Sequence, residues 1–305
     1  MIDLIAFTAP PQAEAREQCR RLFHGRGQAY AGLAHVNIDW WPPVVLITLY
    51  EEVDRRWLQQ LAADIKDKLA ECRAVMVQYR CRPRAPFEQL LGDDTFEALV
   101  ADENGLKFHI QLGRSQNIGL FLDMCEGRQW VRDHSRGKRV LNLFAYTCGF
   151  SVAAIAGGAR HVVNVDISRA SLTRGRENHR LNGHDLRSVT FQSIDIFKSF
   201  SRLKKLGPYD LLICDPPGFQ KGSVDIRRDY RKILRRIPAL LNPGGQFLLC
   251  LNVPALDDAF LHQQVAEHCP SARFVQAIDT PNVFKEAVQG KGLKVLLYDY
   301  PGESR

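Results

Sequence analysis

Arg139-Val140-Leu141-Asn142-Leu143-Phe144-Ala145-Tyr146-Thr147-Cys148-Gly149-Phe150-Ser151 is a β-rich run that opens into a small polar turn and then a helical stretch at residues 152–157. A second strand follows, His161-Val162-Val163-Asn164-Val165, and ends on Asp166. Strand, turn, helix, strand and acid in that order make a nucleotide-binding α/β unit, with a carboxylate roughly 20 residues on, suited to a ribose hydroxyl. The turn is not Gly-x-Gly-x-x-Gly, because Phe144, Tyr146 and Cys148 stand where glycines are expected. A pyrophosphate needs close backbone approach, so a dinucleotide is disfavoured, while an adenosyl ligand without phosphates stays compatible.

Further along, Tyr209-Asp210-Leu211-Leu212-Ile213-Cys214 reads as a buried strand and runs into Asp215-Pro216-Pro217-Gly218-Phe219. A carboxylate that accepts hydrogen bonds, two prolines that hold the loop rigid and a ring that can stack suit a planar base. By itself, Pro-Pro after a strand is more often a plain turn. Val189 to Ile194 reads as another short strand, ending on Asp195. Any one of these aspartates reads as the N-cap of the next helix. Together they fit the rule that open α/β sheets bind ligands at their carboxyl ends.

Residues 103–300 resemble the bacterial large-subunit ribosomal RNA methyltransferases that use S-adenosylmethionine. The likeness is greatest to the family holding the 5-methylcytosine enzyme and the guanine-N7 half of a fused two-activity enzyme. The matching stretches are 103–108, 119–123, 141–150, 178–183, Asp215 to Phe219, and the turn Pro243-Gly244-Gly245. The resemblance implies a doubly wound, mostly parallel seven-stranded class I methyltransferase (Rossmann-like) α/β sheet with a smaller N-terminal α+β domain. The domains expected are residues 1–114 and 115–305. S-adenosylmethionine would be the cofactor, with Asn142, Phe144, Thr147 and Gly149 around its methionine part. Asp166 with Ile167 would meet the ribose and Asp195 with Ile196 the adenine, while Phe121 and Asp123 would pass over the cofactor from outside the sheet. Asp215 would touch both cofactor and base, and Pro216, Pro217 and Phe219 the base.

Two departures bear on chemistry. Cys148 replaces a family glycine in the cofactor turn. The 5-methylcytosine members carry a cysteine two residues beyond Cys250, where this chain has Asn252. Methylating carbon 5 of a pyrimidine needs a thiolate to attack C6, which asparagine cannot do, and Cys250 lies inside a strand where a buried structural role fits it. A guanine N7 has its lone pair available and needs positioning more than a base. The asparagine tilts the expectation toward a nitrogen target.

At 305 residues, 45% hydrophobic and 25% charged, the chain has an ordinary globular composition and can build one large or two modest cores. No apolar run approaches the roughly 20 residues a membrane span needs. The start, Met1-Ile2-Asp3-Leu4-Ile5-Ala6, lacks a basic leader region. Eight cysteines without metal-binding spacing point to a reduced, cytoplasmic setting and no structural metal. Net charge is +7, and between Ser201 and Cys250 ten Lys/Arg stand against four Asp. Residues 227–236 read as an amphipathic helix whose basic face is either solvated or set against RNA phosphates.

In the N-terminal part, strands at 44–50 and 74–79, a helix at 55–70 and a hairpin around Asn104-Gly105 read as a separate module. The order resembles the small central domain of the same methyltransferases, while residues 1–41 support no assignment. Arg80, Arg82 and Arg84 alternate as if along one side of a strand, gripping RNA or guarding an edge. Trp40-Trp41-Pro42-Pro43 packs a core or turn more readily than it stacks on bases. Near the end, a helix at 260–268 and strands at 274–278 and 293–298 close the pattern.

The leading expectation is an enzyme that transfers a methyl group to a base of ribosomal RNA. A tRNA, protein or small-molecule acceptor is a second reading. A non-catalytic RNA-binding assembly factor is a third, suggested by Cys148.

Overall fold

A computed structural model describes residues 1–5, 17–92, 96, 98–113, 115–220 and 224–302. They form two compact units, Met1–Asp123 with Pro281–Gln289, and Met124–Thr280 with Gly290–Arg305. The division falls after Asp123 rather than after residue 114, and 281–289 return to the first unit. Backbone pairing explains the return: Ala287 N donates to Gly27 O at 2.7 Å, and the Phe284 ring lies 5.1 Å from that of His24.

In the first unit, β1 (Arg20–His24), β2 (Val36–Trp41), β3 (Val44–Leu49), β4 (Ala74–Tyr79) and β5 (Phe87–Leu91) form one sheet in sequential order. Helix α1 (Arg55–Lys68) connects β3 to β4, the one parallel pair. Asp54 caps α1 by accepting from the Arg56 and Trp57 amides, and Leu58, Leu61, Ala62 and Ile65 recur at helical spacing to cover Val45, Ile47, Val75 and Val77. Trp40 and Trp41 are buried in β2, the packing role expected of them. β6 (Ala98–Glu103) and β7 (Leu106–Gln111) form a hairpin whose turn residues, Asn104 and Gly105, have φ of 53° and 76°. Positive φ at both positions matches the strand twist.

The expected row of three arginines is not a strand. Arg82 N donates to Tyr79 O at 3.1 Å, so the chain turns as soon as β4 ends, and Arg84 sits at φ 64°. Arg82 lies over the Tyr79 ring and pairs with Glu52 at 2.7 Å.

The second unit runs α2 (Cys125–His134), β8 (Arg139–Leu143), α3 (Gly149–Ala156), β9 (His161–Asp166), α4 (Arg169–Leu181), β10 (Val189–Ser193), α5 (Phe200–Leu206) and β11 (Tyr209–Cys214). It continues through β12 (Phe219–Gln220), β13 (Val224–Asp225), α6 (Ile226–Leu234), α7 (Ile237–Leu240), β14 (Leu241–Leu251), α8 (Asp258–His268), β15 (Arg273–Ala277) and β16 (Lys294–Tyr300). Seven of these strands form one sheet in the order β10-β9-β8-β11-β14-β16-β15, with β16 antiparallel to both its neighbours.

Alternating side chains divide the core between two faces. Val140, Val162, Leu211 and Ile213 pack with Trp130 and Val131 of α2 and Ala154 of α3. Leu141, Leu143, Val163 and Leu212 pack with Leu203 of α5, Tyr230 and Ile233 of α6, and Leu261 of α8. Both faces are buried, so the strands read as largely apolar runs. The chain builds outward from β8 through β9 to β10, then crosses to β11 on the other side. Ligands bind at such a reversal of strand order, outside the carboxyl ends of the strands.

Candidate active site

Strand register brings the acids to one rim. Leu143 pairs with Val165 on one side and Cys214 on the other, and Val165 pairs with Gln192. Phe144, Asp166 and Asp215 therefore each stand one residue beyond a common row, and Asp195 three residues beyond it. β9 and β11 flank β8, so the backbones of Asp166 and Asp215 are two strand spacings apart, about 10 Å.

The turn after β8 follows a glycine-like path without glycines. Phe144, Tyr146 and Cys148 have φ of 58°, 47° and 64°. Left-handed backbone costs an L-residue roughly 1–2 kcal/mol, so three such residues in five persist only where surrounding bonds hold them. Here Tyr146 N donates to Asp166 Oδ2 at 2.8 Å, Ala145 N to Val165 O at 3.0 Å, and Cys148 N to Ala145 O at 2.7 Å. From α4, Asn178 Nδ2 donates to Thr147 O at 3.0 Å. Cys148 is fully buried, and burial, with the Asp166 charge adding, pushes its thiol well up. It packs as a neutral group rather than acting as a nucleophile.

Asp166 accepts a second bond, from Ser168 N to Oδ1 at 2.8 Å. A carboxylate has about four acceptor sites, so two bonds leave capacity for hydroxyl donors. The next residue, Ile167, is 54% exposed, an apolar surface beside the acid. Asp195 caps a short helix through Phe197 N at 2.9 Å, and Phe197 and Phe144 hold their rings 6.3 Å apart. Helix α3 starts at Gly149, and its N-cap, Cys148, offers no side-chain hydrogen bond to the first turn.

Two expected cofactor residues point inward. Ile196 belongs to the core under α5 and α6. Asn142, 1% exposed, donates to Asn164 Oδ1 at 2.9 Å; Asn164 donates to Ser151 Oγ, which lies 2.9 Å from His179 Nε2. A polar side chain at mid-sheet must find partners there. Phe121, 47% exposed, and Asp123 belong to the first unit and immediately precede Met124, where the second begins.

Beyond β11, Pro216 is buried and Pro217 exposed. A Cβ on Gly218 would lie 3.0 Å from Val253 Cγ2 and 3.2 Å from Asn252 O, so this loop runs tightly against the segment after β14. That contact sets Asn252 beside the Pro-Pro loop. Cys250 is fully buried among Val140, Leu211 and Ile213. Phe219 pairs through its backbone with Asp225 in the β12–β13 ladder, and its side chain lies outside the described residues. Tyr230 of α6 donates its hydroxyl to Cys250 O at 2.7 Å and lies 3.4 Å from Cys214 O, tying the helix to both strand ends.

Sequence reasoning missed Asn178, Gly175 and the Tyr230 hydroxyl. Gly175 had a signal, because glycine inside a helix is unfavourable unless something must approach closely. Among the described residues no group of three or more His, Cys, Asp or Glu is placed to hold a metal ion.

The residues present fit S-adenosylmethionine: a half-filled carboxylate, an exposed apolar residue beside it, and a helix start with no side-chain cap to receive a carboxylate. Sheet order and rim together define an adenosyl-binding α/β methyltransferase domain. The fold is similar to the crystal structure of SMU.776 complexed with SAH, with a TM-score of 0.84 and 24% identity, over 94% of this chain and 77% of that one. The family model for S-adenosylmethionine-dependent methyltransferases matches residues 20–299, and the chain belongs to that family.

Ribosomal RNA large subunit methyltransferase I of Aeromonas salmonicida is 35% identical over 178 residues, 57% of this chain and 45% of that protein. The protein of the same name from Erwinia tasmaniensis is 37% identical over 174 residues, 55% of this chain and 44% of that protein. The chain spans about half the length of these curated relatives.

Proposed function

We propose that this protein methylates a base of large-subunit ribosomal RNA with S-adenosylmethionine, and that a ring nitrogen such as guanine N7 is the target. The observation that carries the reading is the shared rim, where Asp166 and the 144–149 turn adjoin the Asp215-Pro216-Pro217-Gly218 loop. The names of the curated relatives support the ribosomal acceptor. When bound, the cofactor supplies an electrophilic methyl group on sulfur.

The chain's own residues bind and orient. Asp166, with Ile167 beside it, takes the ribose, and Asp195 faces the adenine. Phe144, Thr147 and Gly149 shape the methionine pocket, with Asn142 supporting it from below; Ile196 supports the adenine side in the same way. Asp215 accepts from the base, Pro216 and Pro217 hold the loop rigid, and Phe219 stacks. Catalysis is mainly positional.

Asn252 beside Gly218, with Cys148, Cys214 and Cys250 all buried, favours nitrogen over carbon, since no thiolate stands at the loop. Burial and the Asp215 charge push the Cys214 thiol up as well. The reading as a non-catalytic factor rested on Cys148, and the turn accommodates that residue. No described helix is long and apolar enough to cross a membrane.

The test is nucleoside mass spectrometry of ribosomal RNA from cells with and without the gene. One methylated nucleoside should disappear, and return with wild type but not with Asp215→Ala. No change in any ribosomal nucleoside would sink the ribosomal acceptor, and tRNA would be examined next.

A further inference from the structure

Helix α6 and its C-cap together carry three arginines at i, i+4 and i+8. Arg227, Arg231 and Arg235 are all exposed and form one stripe opposite the buried Ile226, Tyr230, Ile233 and Leu234. Their neighbours are spoken for. Arg228 and Lys232 pair with the buried Asp229 at 3.0 and 2.7 Å, Lys232 also lies 5.3 Å from the Phe197 ring centre, and Arg236 lies over Phe200. None of the three stripe arginines joins an ion pair among the described residues. A solvated helix usually neutralises its cations with acids at i±4, yet the only acid in α6 faces inward.

The stripe begins at the catalytic rim. Asp225, the N-cap of α6, is the backbone partner of Phe219, so Arg227 stands two residues from the position paired with the base-facing loop. The Tyr230 hydroxyl fastens the middle of the helix to the strand ends that carry Asp215 and Asn252. Successive stripe residues rise about 6 Å along the helix axis, a step comparable with that of successive phosphates on an extended single strand.

We propose that Arg227, Arg231 and Arg235 form a phosphate ridge that grips the single-stranded RNA flanking the target base and sets its register in the site. This rests on the reading of RNA as substrate. Guanidinium forks suit phosphate oxygens, and backbone contacts position the strand without specifying its sequence.

The experiment measures binding of a fluorescent, unstructured single-stranded RNA by anisotropy across a sodium chloride series, with calorimetric binding of S-adenosylhomocysteine as the check on the folded site. The variants are Arg227→Gln/Arg231→Gln/Arg235→Gln, the same three positions changed to Lys, and a control on α4, Arg169→Gln/Arg180→Gln. The Gln triple should lose at least tenfold in RNA affinity and flatten the log–log salt slope by about two, three lost contacts at roughly 0.7 each. It should bind S-adenosylhomocysteine as wild type does, and the Lys triple should keep most of the slope. An unchanged slope in the Gln triple, or an equal loss in the α4 control, overturns the ridge while leaving RNA as substrate. If the Gln triple no longer binds S-adenosylhomocysteine, the Lys triple decides: wild-type RNA binding supports the ridge and a loss overturns it. Absence of salt-sensitive RNA binding by the wild type overturns the substrate reading itself.

Discussion

Cys148 and Gly175 occupy adjoining places: a Cβ built on Gly175 would fall 2.3 Å from the Cys148 Sγ. The glycine missing from the cofactor turn is thus matched by a glycine inside α4, and the sulfur fills the space between them.

Gly175→Ala tests this coupling. Helix propensity alone favours alanine by about 1 kcal/mol, whereas overpacking costs about 1–3 kcal/mol. A 2.3 Å approach is too close for a small shift to relieve, so the clash should win. Denaturant unfolding should show a net loss of about 1–2 kcal/mol, with much of it recovered in Gly175→Ala/Cys148→Gly. Additive losses in the double variant would refute the coupling.

Asp166→Asn should act on both the turn and the ligand. The carboxylate accepts from Tyr146 N and Ser168 N, and an amide must turn an NH2 toward one of those donors. The expected cost is about 1–3 kcal/mol of stability. Calorimetry should also show at least a tenfold weaker affinity for S-adenosylhomocysteine. Wild-type affinity would remove Asp166 from the ligand site.

His179 makes stability depend on pH in a known direction. Burial, with His184 adding, pushes it down to about 3, below the 6.5 of an unfolded chain. Its contribution is present above pH 6.5 and is lost as pH falls toward 3, at no more than about 1.4 kcal/mol per pH unit. Burial lowers His24, His161 and His184 too, so the whole protein should weaken on acidification. The difference in unfolding free energy between wild type and His179→Gln should shrink between pH 6.5 and 5. A constant difference would show that His179 does not titrate as described.

Asp229 acts at lower pH. Burial alone would raise its carboxyl, but hydrogen bonds from Arg228, Lys232 and the Asp225 amide outweigh burial and hold it well below the usual range. Its stabilisation is present above the unfolded value of about 4 and is lost as pH falls below it. Asp229→Asn should be destabilised at pH 7 and lose less than wild type between pH 4 and 2. Equal acid sensitivity by circular dichroism would exclude this role.

Much of the second unit was legible because strands buried on both faces leave continuous apolar runs, as in Val162-Val163 and Leu211-Leu212-Ile213. β1, β2 and β5 were not foreseen. Arg20 to His24 is a short, partly charged run, and only pairing with β2 makes it a strand. The return of residues 281–289 to the first unit was invisible for the same reason, since its bonds join positions more than 250 apart in the chain, as between His24 and Glu286.

Local sequence sufficed for the α/β alternation, for the aspartates that close β9, β10 and β11, and for the absence of a cysteine at position 252. These are local properties of side-chain period and residue type. Tertiary contacts were needed to give Phe144, Tyr146 and Cys148 their left-handed backbone, to turn Asn142 into a buried polar chain, and to set Arg227, Arg231 and Arg235 in one exposed stripe. Each of those depends on what another segment of the chain presents: the Asp166 carboxylate, the side chain of Asn164, and the strand ends to which Tyr230 fastens its helix.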